Sequence, residues 1–181
     1  FESFISNGGE FVKNNVENII PNESKVQLSF KNENFSFDKV VISAGSWSKS
    51  LTRKFGDDFP LDTERGYHVL FNNYELINRP LGWSQSGFYL VQLAEGLRAA
   101  GTVEIAGLSK PENKKRTKMI ENQARKLLPQ LNEVKSTWLG FRPTMPDALP
   151  VIGQSQKNKN IIYGFAHQHI GWTLGAVTGK V

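Results

Sequence analysis

Residues 87–107, GFYLVQLAEGLRAAGTVEIAG, hold two runs of alternating apolar residues with Glu95-Gly96 between them. Alternation at period two puts one face of each run on a core, and a glycine at the break supplies the positive φ of a tight turn. The pair reads as an antiparallel hairpin, which commits the middle of the chain to an antiparallel sheet. KVVISAG, residues 39–45, has a different character, being a short continuous apolar run that ends at Gly45. Such a run fits a strand buried on both faces, as in a parallel sheet. Two kinds of sheet in one chain exclude a simple all-helical or all-antiparallel fold.

Helical periodicity is clearest at 109–129, SKPENKKRTKMIENQARKLLP. Ser109 and Glu112 have the spacing of a capping box, and Pro111 falls in the first turn, where its missing N–H costs little. Met119, Ile120, Ala124, Leu127, Leu128 and Leu131 recur at helical spacing and are expected in the core, and Pro129 ends the element. Strands are expected at 10–21 and 25–38, with an asparagine-rich turn between them, and at 64–71 and 136–143. Ser46–Phe55 reads as a short helix, and 160–180 as a strand, a loop and a helix start. The order is α/β-type pieces at both ends around an antiparallel insert with one helix. The expected fold is α+β, with residues 1–55 and 136–181 in one region and 56–135 in another.

The 181 residues suffice for one ordinary domain or pieces of two, and a 39% hydrophobic content supports a packed interior. The net charge of +5 is spread over scattered lysines, apart from KPENKKRTK at 110–118, which reads as a solvated helix start. No basic stripe with interleaved aromatics occurs, so a nucleic-acid partner is not expected. Cysteine is absent, which excludes disulfides and thiolate chemistry. No apolar run reaches the roughly 18 residues of a membrane span, and no signal peptide is visible. The chain opens on FESFISNGGEFV without an initiator methionine and stops within GWTLGAVTGKV, which reads as the middle of a helix. Cutting inside an element uncovers backbone groups and apolar faces, so the sequence is expected to be part of a longer protein.

Four stretches combine glycine with polar or aromatic side chains. Gly45 in VVISAGSWS follows the buried strand, where a glycine lets a ligand approach the carboxyl edge of a sheet; any strand-to-helix turn can also need it. In AHQHIGWTLG, residues 166–175, Gly171 precedes a helix start whose free N–H groups favour an anionic or electron-rich ligand. His167 and His169 lie two apart and would face one way on an extended strand. No cysteine or nearby carboxylate completes a zinc set, so they are read as hydrogen-bonding loop histidines and no metal is expected. DTERGYHVLF, residues 62–71, places Tyr67 and His68 either on the exposed face of a strand or overhanging a pocket. LGFRPTMPDALPVIG, residues 139–153, holds one arginine, Arg142, among apolar, proline and glycine residues. Its planar fork suits bidentate pairing with a carboxylate and its charge survives in any pocket; bonding to loop carbonyls is the structural alternative.

VVISAGSWS, LDTERGYHV, GLRAAGTVEIAGL, WLGFRPTMPDALPVIG and HQHIGWTLGAVTG follow one another along the chain. In order and approximate spacing they resemble the FAD-dependent D-amino acid oxidase superfamily, most closely its branch of D-amino acid dehydrogenases and glycine and sarcosine oxidases. The resemblance runs from about Phe37 onward. It implies the C-terminal half of such an enzyme, without the N-terminal βαβ whose GxGxxG fingerprint holds the FAD pyrophosphate. Residues 1–55 would be the remnant of an FAD-binding domain, 56–135 the substrate-binding domain, and 136–181 the return segment.

Carried over by position, Ala44, Gly45, Ser46 and Trp47 would lie along the FAD. Gly164, Ala166, His167, Gln168, His169, Ile170, Gly171, Trp172 and Thr173 would face the flavin ring, with a helix N-terminus stabilising negative charge in the reduced ring. Arg142 would clamp the substrate carboxylate, with Tyr67 and His68 overhanging the same pocket. Relatives usually read Gly-His-Gly where this chain has Ala166-His167-Gln168, and the added Cβ atoms would narrow the approach to the flavin. The implied activity is oxidation of the C–N bond of a small amino acid by hydride transfer to flavin. The implied partners are that amino acid and the N-terminal segment; alone, the chain would hold FAD weakly or not at all and be inactive. The implied location is the cytoplasm, peripheral to the inner membrane in the dehydrogenase case. Two other readings stay open: the flavin-bearing part of a multifunctional enzyme, such as one modifying tRNA, and a non-catalytic α+β binding module.

Overall fold

The computed structural model describes residues 1–181. Helix α1 (Glu2–Ser6) precedes a meander of β1 (Asn18–Pro21), β2 (Val26–Ser29) and β3 (Asn34–Phe37). Strand β4 (Val40–Ile42) runs through a 3-10 turn at Gly45–Trp47 into α2 (Ser48–Thr52). Then come β5 (Asp62–Phe71), β6 (Leu81–Trp83), β7 (Phe88–Leu93) and β8 (Gly96–Ile105), followed by α3 (Lys114–Leu127). The chain closes with β9 (Val134–Thr144), β10 (Val151–Gln154), β11 (Ile161–Phe165) and α4 (Gly171–Thr178).

The expected hairpin is β7–β8, and it sits in a five-stranded antiparallel sheet of order β6-β7-β8-β5-β9. The continuous apolar run is β4, and it pairs parallel to β11, which pairs antiparallel to β10. The fold is therefore α+β, as the two patterns imply. Each part has its own core. Helix α3 lays Ile120 and Ala124 on Tyr67, Val69, Phe71, Phe88, Leu90, Leu97 and Ala99 of the large sheet. The second core joins Ile42, Ile161, Tyr163 and Phe165 of the mixed sheet to Ile19 and Val26 of the meander. Truncating one of the fully buried residues, such as Leu90 or Leu97, to alanine is expected to cost about 2–5 kcal/mol.

Several local expectations are corrected. Of the strand expected at 10–21 only β1 forms, and Phe11 and Val12 stay exposed because no neighbouring strand reaches them. The strand expected at 25–38 is a hairpin, β2–β3, closed by the Phe30 N–H donating to the Glu33 carbonyl. Helix α3 starts later than the Ser109–Glu112 spacing suggests. Asn113 is its N-cap, with Oδ1 accepting from the Lys115 N–H at 3.2 Å. Residues 110–112 are held by the sheet, since the Pro111 carbonyl accepts from the Arg65 guanidinium at 2.9 Å. Met119 and Leu127 are 45% and 38% exposed, so the buried stripe is narrower than the apolar pattern. The boundary expected at 136 falls inside β9, which pairs with β5 along nearly all of its length.

Candidate active site

Strand β5 organises the site, because its two faces differ completely. Odd positions Thr63, Arg65, Tyr67, Val69 and Phe71 are buried, most of them beneath α3. Even positions Glu64, Gly66, His68 and Leu70 face the other way, as the period of two requires. In register across to β9 these pair as Glu64 with Arg142, Gly66 with Gly140, and His68 with Trp138. Across to β8, His68 pairs with Ala100 and Leu70 with Arg98, and Ala100 is next to Tyr89 of β7. One face of the sheet thus carries Arg142, Arg98, His68, Trp138 and Tyr89.

Two glycines make the floor of this face. The Arg142 guanidinium folds over Gly66, where an added Cβ would stand 2.5–2.6 Å from its Cζ and Nη atoms. Trp138 folds over Gly140 in the same manner, and a Cβ there would run into its indole. His68 stacks on Trp138 with ring centroids 5.1 Å apart and planes 19° from parallel. Its imidazole is held below its ordinary range, first by burial and then by the positive charge of Arg98. It is therefore neutral at pH 7. Arg142 donates to no backbone carbonyl and forms no ion pair, and its Nη1 is a buried donor without a partner. A buried unpaired donor is costly, so Arg142 Nη1 is available to an acceptor brought to this face.

Tyr67 does not share this face. It is buried beneath α3, with its hydroxyl donating to Glu104 Oε2 at 2.6 Å and accepting from the Asn113 N–H at 3.2 Å. Neighbours on a strand point to opposite sides, so Tyr67 and His68 cannot overhang one pocket. Burial and the Glu104 carboxylate raise the phenol above its ordinary range. Glu104 in turn gathers Arg65 at 3.5 Å and Arg116 at 3.6 Å. This is a network that ties α3 to the sheet, and it accounts for a fully buried arginine at position 65.

The segments expected along a cofactor meet at the far end of β9. Parallel pairing of β4 and β11 brings Ser43–Gly45 and Gly164–Ala166 out at one sheet edge. Ser46 Oγ donates to the Phe141 carbonyl at 3.0 Å, and the Gln168 N–H donates to the Pro143 carbonyl at 3.2 Å. The carbonyls on either side of Arg142 are thus bonded to the two segments, 44–47 and 164–173. Trp47 packs edge-on against Phe141 at 5.5 Å. Gly164 lies beside Ser43, and together with Val41, His167 and Gly171 they line a cavity of about 650 Å³.

Loop 166–170 is a turn, not a strand. Ala166 and Gln168 have φ of +65° and +52°, so His167 and His169 do not line up on one side. His167 Nε2 is 2.9 Å from Thr178 Oγ1, and His169 is exposed. No group of three side chains able to hold a metal occurs. Ile170, Trp172 and Thr173 are exposed at the start of α4, with Trp172 wholly so. Arg98, Tyr89 and Trp138 have no local sequence signal; only the strand register brings them beside Arg142.

A family model described as DAO, FAD dependent oxidoreductase, matches residues 1–181. The chain is 42% identical over 151 residues to a D-amino-acid oxidase of Bradyrhizobium diazoefficiens, covering 80% of this chain and 36% of that protein. It is 32% identical over 148 residues to D-amino acid dehydrogenase 2 of Mesorhizobium japonicum, covering 79% and 35%. Among solved structures, glycine oxidase from Bacillus cereus superposes with a TM-score of 0.82 at 24% identity, over 99% of this chain and 51% of that one. L-proline dehydrogenase from P. horikoshii gives 0.82 at 16% identity, over 96% and 50%. These two show a shared fold. The chain spans about a third of the length of the curated relatives and about half of the solved ones.

Proposed function

Because this chain belongs to the family of FAD-dependent oxidoreductases, we propose that it is the substrate-facing half of a longer flavoenzyme. That enzyme oxidises the C–N bond of a small amino acid of the D-amino acid, glycine or sarcosine class. The observation that carries the reading is the Arg142 guanidinium, folded over Gly66 with an unpaired buried donor, while the flanking Phe141 and Pro143 carbonyls accept from the two cofactor-side segments. A planar fork held this way receives a carboxylate bidentately and fixes the substrate in place. His68, being neutral, does not repel the amine of a bound amino acid. Structural use of Arg142 is disfavoured, because its side chain bonds to no carbonyl of the fold.

The residues present fit an FAD. The sheet edge at Ser43–Gly45 and Gly164–Ala166, with the cavity beside Gly164 and Gly171, offers close backbone approach and a helix start. Bound FAD would accept the hydride released from the substrate Cα. The pyrophosphate site is assigned to a preceding segment of the polypeptide, so these residues alone are expected to retain little flavin.

Arg142→Ala and Arg142→Lys in the full-length protein test the reading. Alanine leaves a substrate carboxylate unpaired in a desolvated site, a loss of about 3–5 kcal/mol. That is on the order of a hundred- to several-thousand-fold in kcat/KM, with flavin absorbance nearly unchanged. Lysine restores part of it, keeping the charge but not the fork. An alanine variant with full flavin and undiminished amino acid turnover refutes the role.

A further inference from the structure

Most of the arginines in the chain are engaged. Arg53 binds Asp58; Arg65 binds the Pro111 carbonyl; Arg79 binds Asn78; Arg116 binds the Val103 carbonyl; Arg125 binds Glu121 and two carbonyls. The exceptions are Arg98 and Arg142, which donate to nothing, each with a buried nitrogen lacking a partner: Nε of Arg98 and Nη1 of Arg142. Both lie on the same face of the large sheet, with His68 and Trp138 between them. Asp62 and Glu64, on the same face of β5, and Glu95, in the β7–β8 turn, are the acidic groups on this side, and none forms an ion pair with either arginine.

We propose that Arg98 is a second carboxylate-binding residue of this site, and that the substrate is an amino acid with an acidic side chain. The inference rests on the reading of Arg142 above. Arg142 reaches along the sheet to Gly66, and Arg98 enters from the Leu70 end, where its charge is felt at His68. Gly66 and His68 are two strand steps apart, roughly 7 Å. Guanidiniums reaching inward from both ends suit the two carboxylates of a four- or five-carbon dicarboxylic amino acid. The α-carboxylate takes Arg142, and the side-chain carboxylate takes Arg98. Two unpaired cations on one face favour a dianion over a monoanion, and each gains the partner that the fold withholds.

The test is calorimetric titration of the full-length holoenzyme with glutarate and with butyrate, which differ by one carboxylate. Glutarate is expected to bind about 10- to 100-fold more tightly. In Arg98→Met the ratio falls to near one, and in Arg98→Lys it is intermediate. Equal affinities in the wild type overturn the proposal, as does a ratio that survives in Arg98→Met. If the methionine variant does not fold, the wild-type ratio and the lysine variant decide. Turnover of D-glutamate against D-alanine separates this inference from the one beneath it. Oxidation of amino acids without preference for the acidic one removes the role of Arg98 and leaves the reaction standing. A glutarate preference dependent on Arg98, in a protein that oxidises no amino acid, removes the reaction and leaves the dicarboxylate site.

Discussion

Gly66→Ala is the substitution that most sharply separates function from fold. The added methyl would stand 2.5–2.6 Å from the Arg142 guanidinium, against the roughly 3.5 Å that non-bonded heavy atoms need. The obstructing group is the far end of a flexible side chain, so the backbone need not move and the arginine swings aside by about 1 Å. A displacement of that size at a positioning group costs about 100-fold in rate. The corresponding free energy is about 2.7 kcal/mol, set against a carboxylate contact that is otherwise intact. Stability should move the other way. Gly66 pairs with Gly140 of β9 and sits at a bulge against β8, but its φ is not left-handed, so replacing glycine with alanine there gains about 0.5–1 kcal/mol of backbone entropy. The melting temperature should therefore hold or rise by up to about 4 °C. The assay is kcat/KM of the full-length enzyme with its flavin content and melting curve. Wild-type kcat/KM in Gly66→Ala would refute the placement of Arg142 over the glycine. Activity and melting temperature falling together would show that Gly66 matters for packing alone.

Two further outcomes are expected. Gln168→Gly should stabilise the protein by about 0.5–1 kcal/mol, because residue 168 sits at φ +52°, where a Cβ is penalised by more than the added freedom of glycine in the unfolded chain costs; a chemical denaturation midpoint that does not rise would contradict it. His68, whose folded pKa lies below its ordinary value, binds fewer protons folded than unfolded just below pH 6.5, so stability rises with pH through that window and is lost as pH falls. Its ring resonance should titrate below 6.5 by NMR, and Arg98→Met should raise the midpoint only part of the way, since burial is the larger cause. A midpoint unmoved by that substitution would place Arg98 away from the ring.

Local pattern was enough for the hairpin and the parallel strand β4, because each is written in a few adjacent residues. What needed the register was not legible. Tyr67 and His68 are neighbours in sequence and so attract one assignment, yet the same period of two that reveals the strand forbids them a common face. Arg98 and Tyr89 join the site only because β8 and β7 lie beside β5 in a particular alignment. The start of α3 was misplaced for a related reason: a buried arginine on β5 holds the Pro111 carbonyl, and Asn113 is left to cap.

Ala166 and Gln168 make the same point from the opposite direction. Side-chain preference alone would draw both out of the left-handed region, yet both remain there, at φ +65° and +52°. The Gln168 N–H is bonded to the Pro143 carbonyl and Ala166 is buried in the second core, so tertiary contacts outweigh the local strain. The backbone keeps a path suited to glycine while the sequence does not. Any narrowing at this edge then comes from the two Cβ groups themselves, which a glycine at 168 would partly relieve.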